Sequence, residues 1–142
     1  MNTTIILPAE MRYLRLATIT AWTAAEIFTD TLEIKEGVHD FCHAFELSVC
    51  ETFSNSVRYA DPANEEKNVT ICFSSCNDSL TVSVSDTNPP FDPVTSLPDI
   101  NSYPEKGFGL FMIHQLMDEV TYTREKGGNL ITMTKSAGKH EK

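Results

Sequence analysis

Apolar residues recur along this chain in two rhythms, and the switches between them mark its elements. Residues 3–7 (TTIIL) predict a short opening strand. From residue 8 to about residue 29 the period lengthens, with Met11, Leu14, Thr18, Ala21, Ala25 and Phe28 at alternating steps of three and four, as on one face of a helix. A second helix is expected over residues 36–60, where Val38, Phe41, Cys42, Phe45, Val49, Phe53 and Val57 share a broad inward face. A narrower stripe of the same helix carries Asp40, Ala44, Ser48, Glu51, Asn55 and Arg58. An apolar back with a small, polar front suits a helix that forms one wall of a ligand site.

Asp61, Pro62, Ala63 and Asn64 break this helix, and an acidic loop follows. Period two then returns. Val69, Ile71 and Phe73 alternate with Thr70, Cys72 and Ser74, and Leu80, Val82 and Val84 with Thr81, Ser83 and Ser85, which predicts an antiparallel hairpin about Asn77 and Asp78. The second of these strands ends at Asp86. From there to Lys106 five prolines (Pro89, Pro90, Pro93, Pro98 and Pro104) argue against regular structure, and a loop this long is functional or mobile. Gly107, Phe108, Gly109 and Leu110 open a third helix to about Asp118, with Leu110, Ile113 and Met117 on one face. Two closing strands, 119–123 and 129–135, meet at a turn holding Gly127 and Gly128. Together these elements predict an α+β two-layer sandwich with a mixed, mostly antiparallel sheet and the helices on one face. One domain covers residues 1–135, and residues 136–142 read as a frayed tail.

Composition narrows the class. A 142-residue chain with 41% hydrophobic residues is one folded domain. No apolar run approaches the roughly 18–20 residues that cross a bilayer, and residues 1–8 lack a basic leader, so the expected setting is cytoplasmic and away from membranes. The net charge of −9, from 20 acidic and 11 basic residues, opposes direct nucleic-acid binding. It leaves room for a nucleotide, whose phosphates can be held by backbone N–H groups, a helix N-terminus and a metal ion. Cys42, Cys50, Cys72 and Cys76 lack the paired spacing of a zinc site and read as reduced thiols.

Three segments carry candidate chemistry. Glu51 and Asn55 stand four residues apart on one helix face. An amide oxygen is a hard ligand suited to Mg²⁺, and a neighbouring carboxylate can take the proton of an attacking hydroxyl; such a pair can also be simply solvated. Asp86, at a strand end, can accept a hydrogen bond from an exocyclic amine such as that of adenine, or form a turn before the prolines. Gly107 and Gly109 let backbone approach a phosphate at a helix start, or serve as a hinge. Lys106, just ahead of them, is a phosphate contact or an ordinary solvated lysine.

In their order and spacing these segments resemble the GHKL superfamily (gyrase, heat-shock chaperone, histidine kinase and mismatch-repair ATPases), and its anti-sigma-factor serine kinase branch above all. ETFSNSVRYA (51–60) is similar to that family's N-box, DTNPPFDP (86–93) to its D-x-G-x-P-F-D-P box, and GFGLFMIHQLMDEVTY (107–122) with GGNLITMTK (127–135) to its second glycine box and closing hairpin. The resemblance implies the histidine-kinase-like ATPase fold (Bergerat fold) and ATP with Mg²⁺ as cofactors. It makes Asn55 the metal ligand, Glu51 the catalytic base and Asp86 the reader of the adenine amine, with Gly107, Gly109 and Leu110 bordering the phosphates. It also implies a serine/threonine protein kinase that phosphorylates a small STAS-type anti-sigma-factor antagonist and sequesters a sigma factor. Homodimers are common in that family. A partner-binding module without kinase activity, using ATP as a conformational ligand or not at all, is the alternative.

Asn88 departs from the family pattern, standing where the box has glycine; asparagine tolerates positive φ, but its side chain could crowd the base. The lid, residues 93–106, is short and proline-rich. His39 and His43 have the spacing of a two-histidine metal pair but no third ligand, and read as ordinary helix residues. Arg58, one turn past Asn55, faces the site or a partner's acidic group or is a surface arginine, and the surface position is the expected one.

Overall fold

The computed structural model describes residues 1–60, 62–63, 67–88, 104–125 and 127–137, with the side chains of all of these except 104–108 and 125. A five-stranded sheet runs in the order β1 (Asn2–Pro8), β2 (Asn68–Cys76), β3 (Ser79–Asp86), β5 (Gly128–Ser136), β4 (Glu119–Glu125). All of its pairings are antiparallel. Pro8 closes β1 without disrupting the sheet, because an edge strand can spare an N–H from the ladder. Asn77, at φ 55°, makes the tight β2–β3 connection in the left-handed region that asparagine tolerates.

Alternation gives the sheet two unlike faces. Val69, Ile71, Phe73, Leu80, Val82, Val84, Ile131 and Met133 point inward and are buried. The opposite face is uncharged and hydroxyl-rich across its middle: Thr4, Cys72, Ser83, Thr132 and Thr121 share one cross-strand row. Thr81 and Thr134 are hydrogen-bonded there at 2.8 Å.

Three helices cover the inner face: α1 (Leu14–Thr31), α2 (Val38–Arg58) and α3 (Pro104–Leu116). Alanines at 17, 21, 24 and 25 keep the buried side of α1 thin, and Phe28 stacks on Phe41 of α2 at 5.7 Å between ring centroids. The inward face predicted for α2 is the one buried, with Phe45, Val49 and Phe53 wholly inaccessible. Each such phenylalanine contributes about 2–3 kcal/mol by leaving water. Lys135 Nζ donates to the carbonyl of Leu116 at 2.8 Å and so caps the end of α3.

The first helix starts later than its pattern suggests. Residues to Pro8 belong to the β1 ladder, a 3-10 turn occupies Met11–Tyr13, and Met11 is 51% exposed rather than inward. By contrast, α3 starts early, at Pro104, a residue whose fixed φ and missing N–H suit a first helical position. Gly107 and Gly109 therefore lie inside the helix rather than ahead of it. Ser136 still belongs to β5, and Ala137 is buried with its N–H on Asp78 O at 2.8 Å, so the ordered chain continues past residue 135. Most of the predicted lid (residues 93–103) and residues 138–142 lie outside the described residues. Among those described, no helix is long and apolar enough to cross a membrane.

Candidate functional site

The last three turns of α2 organise the site. Glu51 is half-buried, and Asn55, one turn on, is 7% exposed. Asn55 Oδ1 accepts a hydrogen bond from Arg58 Nη1 at 2.7 Å. Since a guanidinium can only donate, this partner fixes the amide with its oxygen toward Arg58. The arginine expected at the surface is exposed along its length, yet its head is committed to the site. A buried amide oxygen with a carboxylate one turn away is a set of hard donors. It fits Mg²⁺, which takes few protein ligands and leaves the rest to water and phosphate.

The contact between α2 and α3 passes through Gly109. A Cβ at this position would collide with Glu51 Oε1, so the carboxylate occupies the space that a side chain would fill. Leu110, next along α3, is half-buried against the core. Gly107 is placed in the same helix, while the side chain of Lys106 lies outside the described residues.

Asp86 ends β3 beside the C-terminus of α2. Its Oδ2 accepts from Ser56 Oγ at 2.7 Å, and its Oδ1 from the backbone N–H of Asn88 and from Asn129 Nδ2, both at 3.0 Å. A carboxylate offers about four acceptor positions, so this bonding orients Asp86 without exhausting it. Gly128 permits the arrangement: a Cβ there would strike the backbone carbonyl of Asp86. Asn129 also accepts from Tyr122 Oη and from Arg124 Nη1, and Arg124 Nη1 donates to Asn88 O at 2.8 Å.

Asn88 plays a part that its sequence does not suggest. Its φ is not positive, as the non-glycine residues in that region are Glu33 and Asn77 among those described. Its buried side chain donates from Nδ2 to the carbonyl of Ser56 at 2.8 Å, satisfying one of the acceptors that a helix C-terminus leaves open.

Glu51, Asn55, Asp86, Asn88 and Gly109 are thus gathered around one end of α2. Sequence reasoning missed Ser56, Tyr122, Arg124 and Asn129. The one available signal was Asn129, a polar residue in phase with the inward Ile131 and Met133. Elsewhere on α2, His39 and His43 stack at 6.0 Å and Trp22 meets His39 edge-on at 5.2 Å. Burial, helped by the Glu26 charge, pushes the Cys42 thiol from 9.0 up to about 11. Burial and the neighbouring Glu51 raise that of Cys50.

Comparison with known proteins gives this geometry a context. Residues 7–135 match the family model of the histidine kinase-like ATPase domain. The serine-protein kinase RsbW of Staphylococcus epidermidis is 29% identical over 131 residues, covering 85% of this chain and 78% of that protein. Its namesake from Staphylococcus aureus (strain JH9) is 29% identical over 144 residues, covering 94% and 86%. These relatives bear out the resemblance read from the three boxes. The solved RsbU and RsbW domains of Rv1364c from Mycobacterium tuberculosis share the fold at a TM-score of 0.62 and 16% identity, over 96% of this chain and 32% of that one. The histidine kinase AdeS of Acinetobacter baumannii does so at 0.52 and 11%, over 96% and 68%.

Proposed function

The chain belongs to the histidine kinase-like ATPase domain family, and from that premise we propose that it is an ATP-dependent serine/threonine protein kinase acting in the cytoplasm as an anti-sigma factor. It transfers the γ-phosphoryl group of ATP to a hydroxyl of a STAS-type antagonist and sequesters a sigma factor while the antagonist is absent. The observation that carries this reading is the Glu51–Asn55 pair on α2, with Gly109 of α3 packed against Glu51 and the carboxylate of Asp86 bonded to the neighbouring Ser56.

Asn55 Oδ1 would hold Mg²⁺, and the ion would offset negative charge on the phosphate oxygens. Asp86, oriented by Ser56 and Asn129, uses its remaining acceptor capacity on the exocyclic amine of adenine. Gly107, Gly109, Leu110 and Lys106 border the phosphates from α3. Glu51 accepts the proton of the partner's hydroxyl as that oxygen bonds to the γ-phosphorus and the bridging oxygen leaves with ADP. Phosphoryl transfer asks a protein mainly for positioning and charge neutralisation, and this set of residues supplies both.

A second reading, a partner-binding module in which ATP is a conformational ligand or plays no part, is favoured by one observation: Arg58 already occupies Asn55 Oδ1. Calorimetry with ATP and Mg²⁺ on the wild type and on Asn55→Ala separates the two. Metal-dependent binding that Asn55→Ala abolishes supports the kinase site, and Glu51→Ala should then bind ATP yet transfer phosphate at least about a hundredfold more slowly. No binding up to about 1 mM ATP, the upper end of ordinary substrate affinities, would leave the nucleotide-independent module.

A further inference from the structure

We infer that Arg58 is a built-in competitor for the metal: its guanidinium holds Asn55 Oδ1 and must leave before that oxygen can ligate Mg²⁺. The inference rests on the Mg²⁺-nucleotide reading of the site and adds a regulatory step to it.

Geometry makes the competition direct. The Nη1–Oδ1 separation of 2.7 Å is that of a charge-assisted bond. Mg²⁺ demands its ligand oxygens at about 2.0–2.1 Å in near-octahedral array. A guanidinium and a divalent ion on one amide oxygen would stand only a few ångströms apart and repel. Asn55 cannot turn away to serve both, because its side chain is buried at the end of the helix. Arg58 can move. It lies on the exposed side of the last turn of α2, its guanidinium carbon is 6.0 Å from the centroid of the Tyr59 ring, and the helix C-terminus favours a cation in either position. Displacement therefore breaks one hydrogen bond and leaves the fold intact. The same bond satisfies a buried amide oxygen that would otherwise lack a strong donor.

Two consequences follow. Metal loading moves a positive charge from Asn55 toward solvent. The Mg²⁺ requirement for nucleotide binding is also set higher than the ligands alone would make it.

The test is a Mg²⁺ titration at a fixed concentration of a non-hydrolysable ATP analogue, followed by calorimetry, on the wild type, Arg58→Gln and Arg58→Ala. The glutamine variant keeps most of the side-chain stem and removes the charge, so it decides the matter if the alanine variant folds poorly. Both variants should reach half-saturation at roughly three- to tenfold less Mg²⁺, the worth of one net hydrogen bond, and should melt lower than wild type without nucleotide. An unchanged Mg²⁺ midpoint would overturn the inference and make Arg58 a surface residue. A raised midpoint would overturn it in the other direction, making Arg58 a support for the bound nucleotide. A wild type that binds no analogue at any Mg²⁺ concentration removes the parent reading as well, an outcome distinct from the other two.

Discussion

Single atoms decide much at this site, and position 109 shows how. A methyl group there would displace the Glu51 carboxylate, the flexible end of a side chain, and would leave backbone untouched. Gly109→Ala should therefore fold, and with a helical glycine replaced it should melt no lower than wild type. With Glu51 as the proposed base, phosphoryl transfer should suffer, because a base moved by about 1 Å loses roughly a hundredfold in rate. Steady-state kinetics beside nucleotide calorimetry checks this: kcat should fall by more than nucleotide binding weakens, whereas equal losses would place the defect in binding. Cys42 yields a second expectation at this scale. With its folded pKa near 11 against 9.0 for the free thiol, the unfolded chain loses its proton first. The unfolded state then binds fewer protons than the folded one, so this contribution is intact below pH 9 and declines from about pH 9 to 11. Urea denaturation at several alkaline pH values should show a shallower fall in stability for Cys42→Ala than for wild type. In the native protein at pH 8, thiol reagents should reach the exposed Cys76 and spare the buried Cys42.

The C-terminus of α2 is a meeting point of elements, and Asn88 is what ties them. Its carboxamide joins the helix end at Ser56 to the end of β3, while its carbonyl receives Arg124 from β4. Asn88→Gly, the residue the family box calls for, should thus destabilise the protein by about 1–2 kcal/mol through a lost buried hydrogen bond and added chain entropy. Thermal melting checks it, and an unchanged melting temperature would show that the cap contributes nothing. The elements themselves were largely legible in the sequence. The 3.6-residue rhythm of Phe41, Phe45, Val49 and Phe53 and the alternation of β2 and β3 were strong enough to place them, since burial on one face is what such patterns encode. The start of α1 was not legible, because Met11 keeps helical phase with Leu14 although it sits in a 3-10 turn, three residues after a strand that pairs with residues 68–74. Positions of Glu51, Asn55 and Asp86 were readable from their boxes. The bonds from Ser56, Arg124 and Asn129 were not, because they join residues about 30–43 apart in sequence, and no local period records such contacts.

The 142-residue chain carries −9 of formal charge. Little in the described fold offsets it: Arg12 pairs with Glu10 at 2.8 Å, at the surface and between near neighbours in sequence. Exposed pairs of this kind contribute at most about 1 kcal/mol, so screening them loses little. Screening the general repulsion among acidic groups gains more, because that repulsion opposes the compact state over its entire surface. Raising NaCl from about 10 mM to about 150 mM shortens the screening length from roughly 30 Å to 8 Å, less than the width of the domain. The melting temperature without nucleotide should therefore rise, by about 4 °C if the relief is near 1 kcal/mol. Melting in potassium chloride as well as sodium chloride separates screening from specific ion binding, since screening predicts the same rise in both. A fall with salt would mean that favourable charge pairs outweigh the net repulsion.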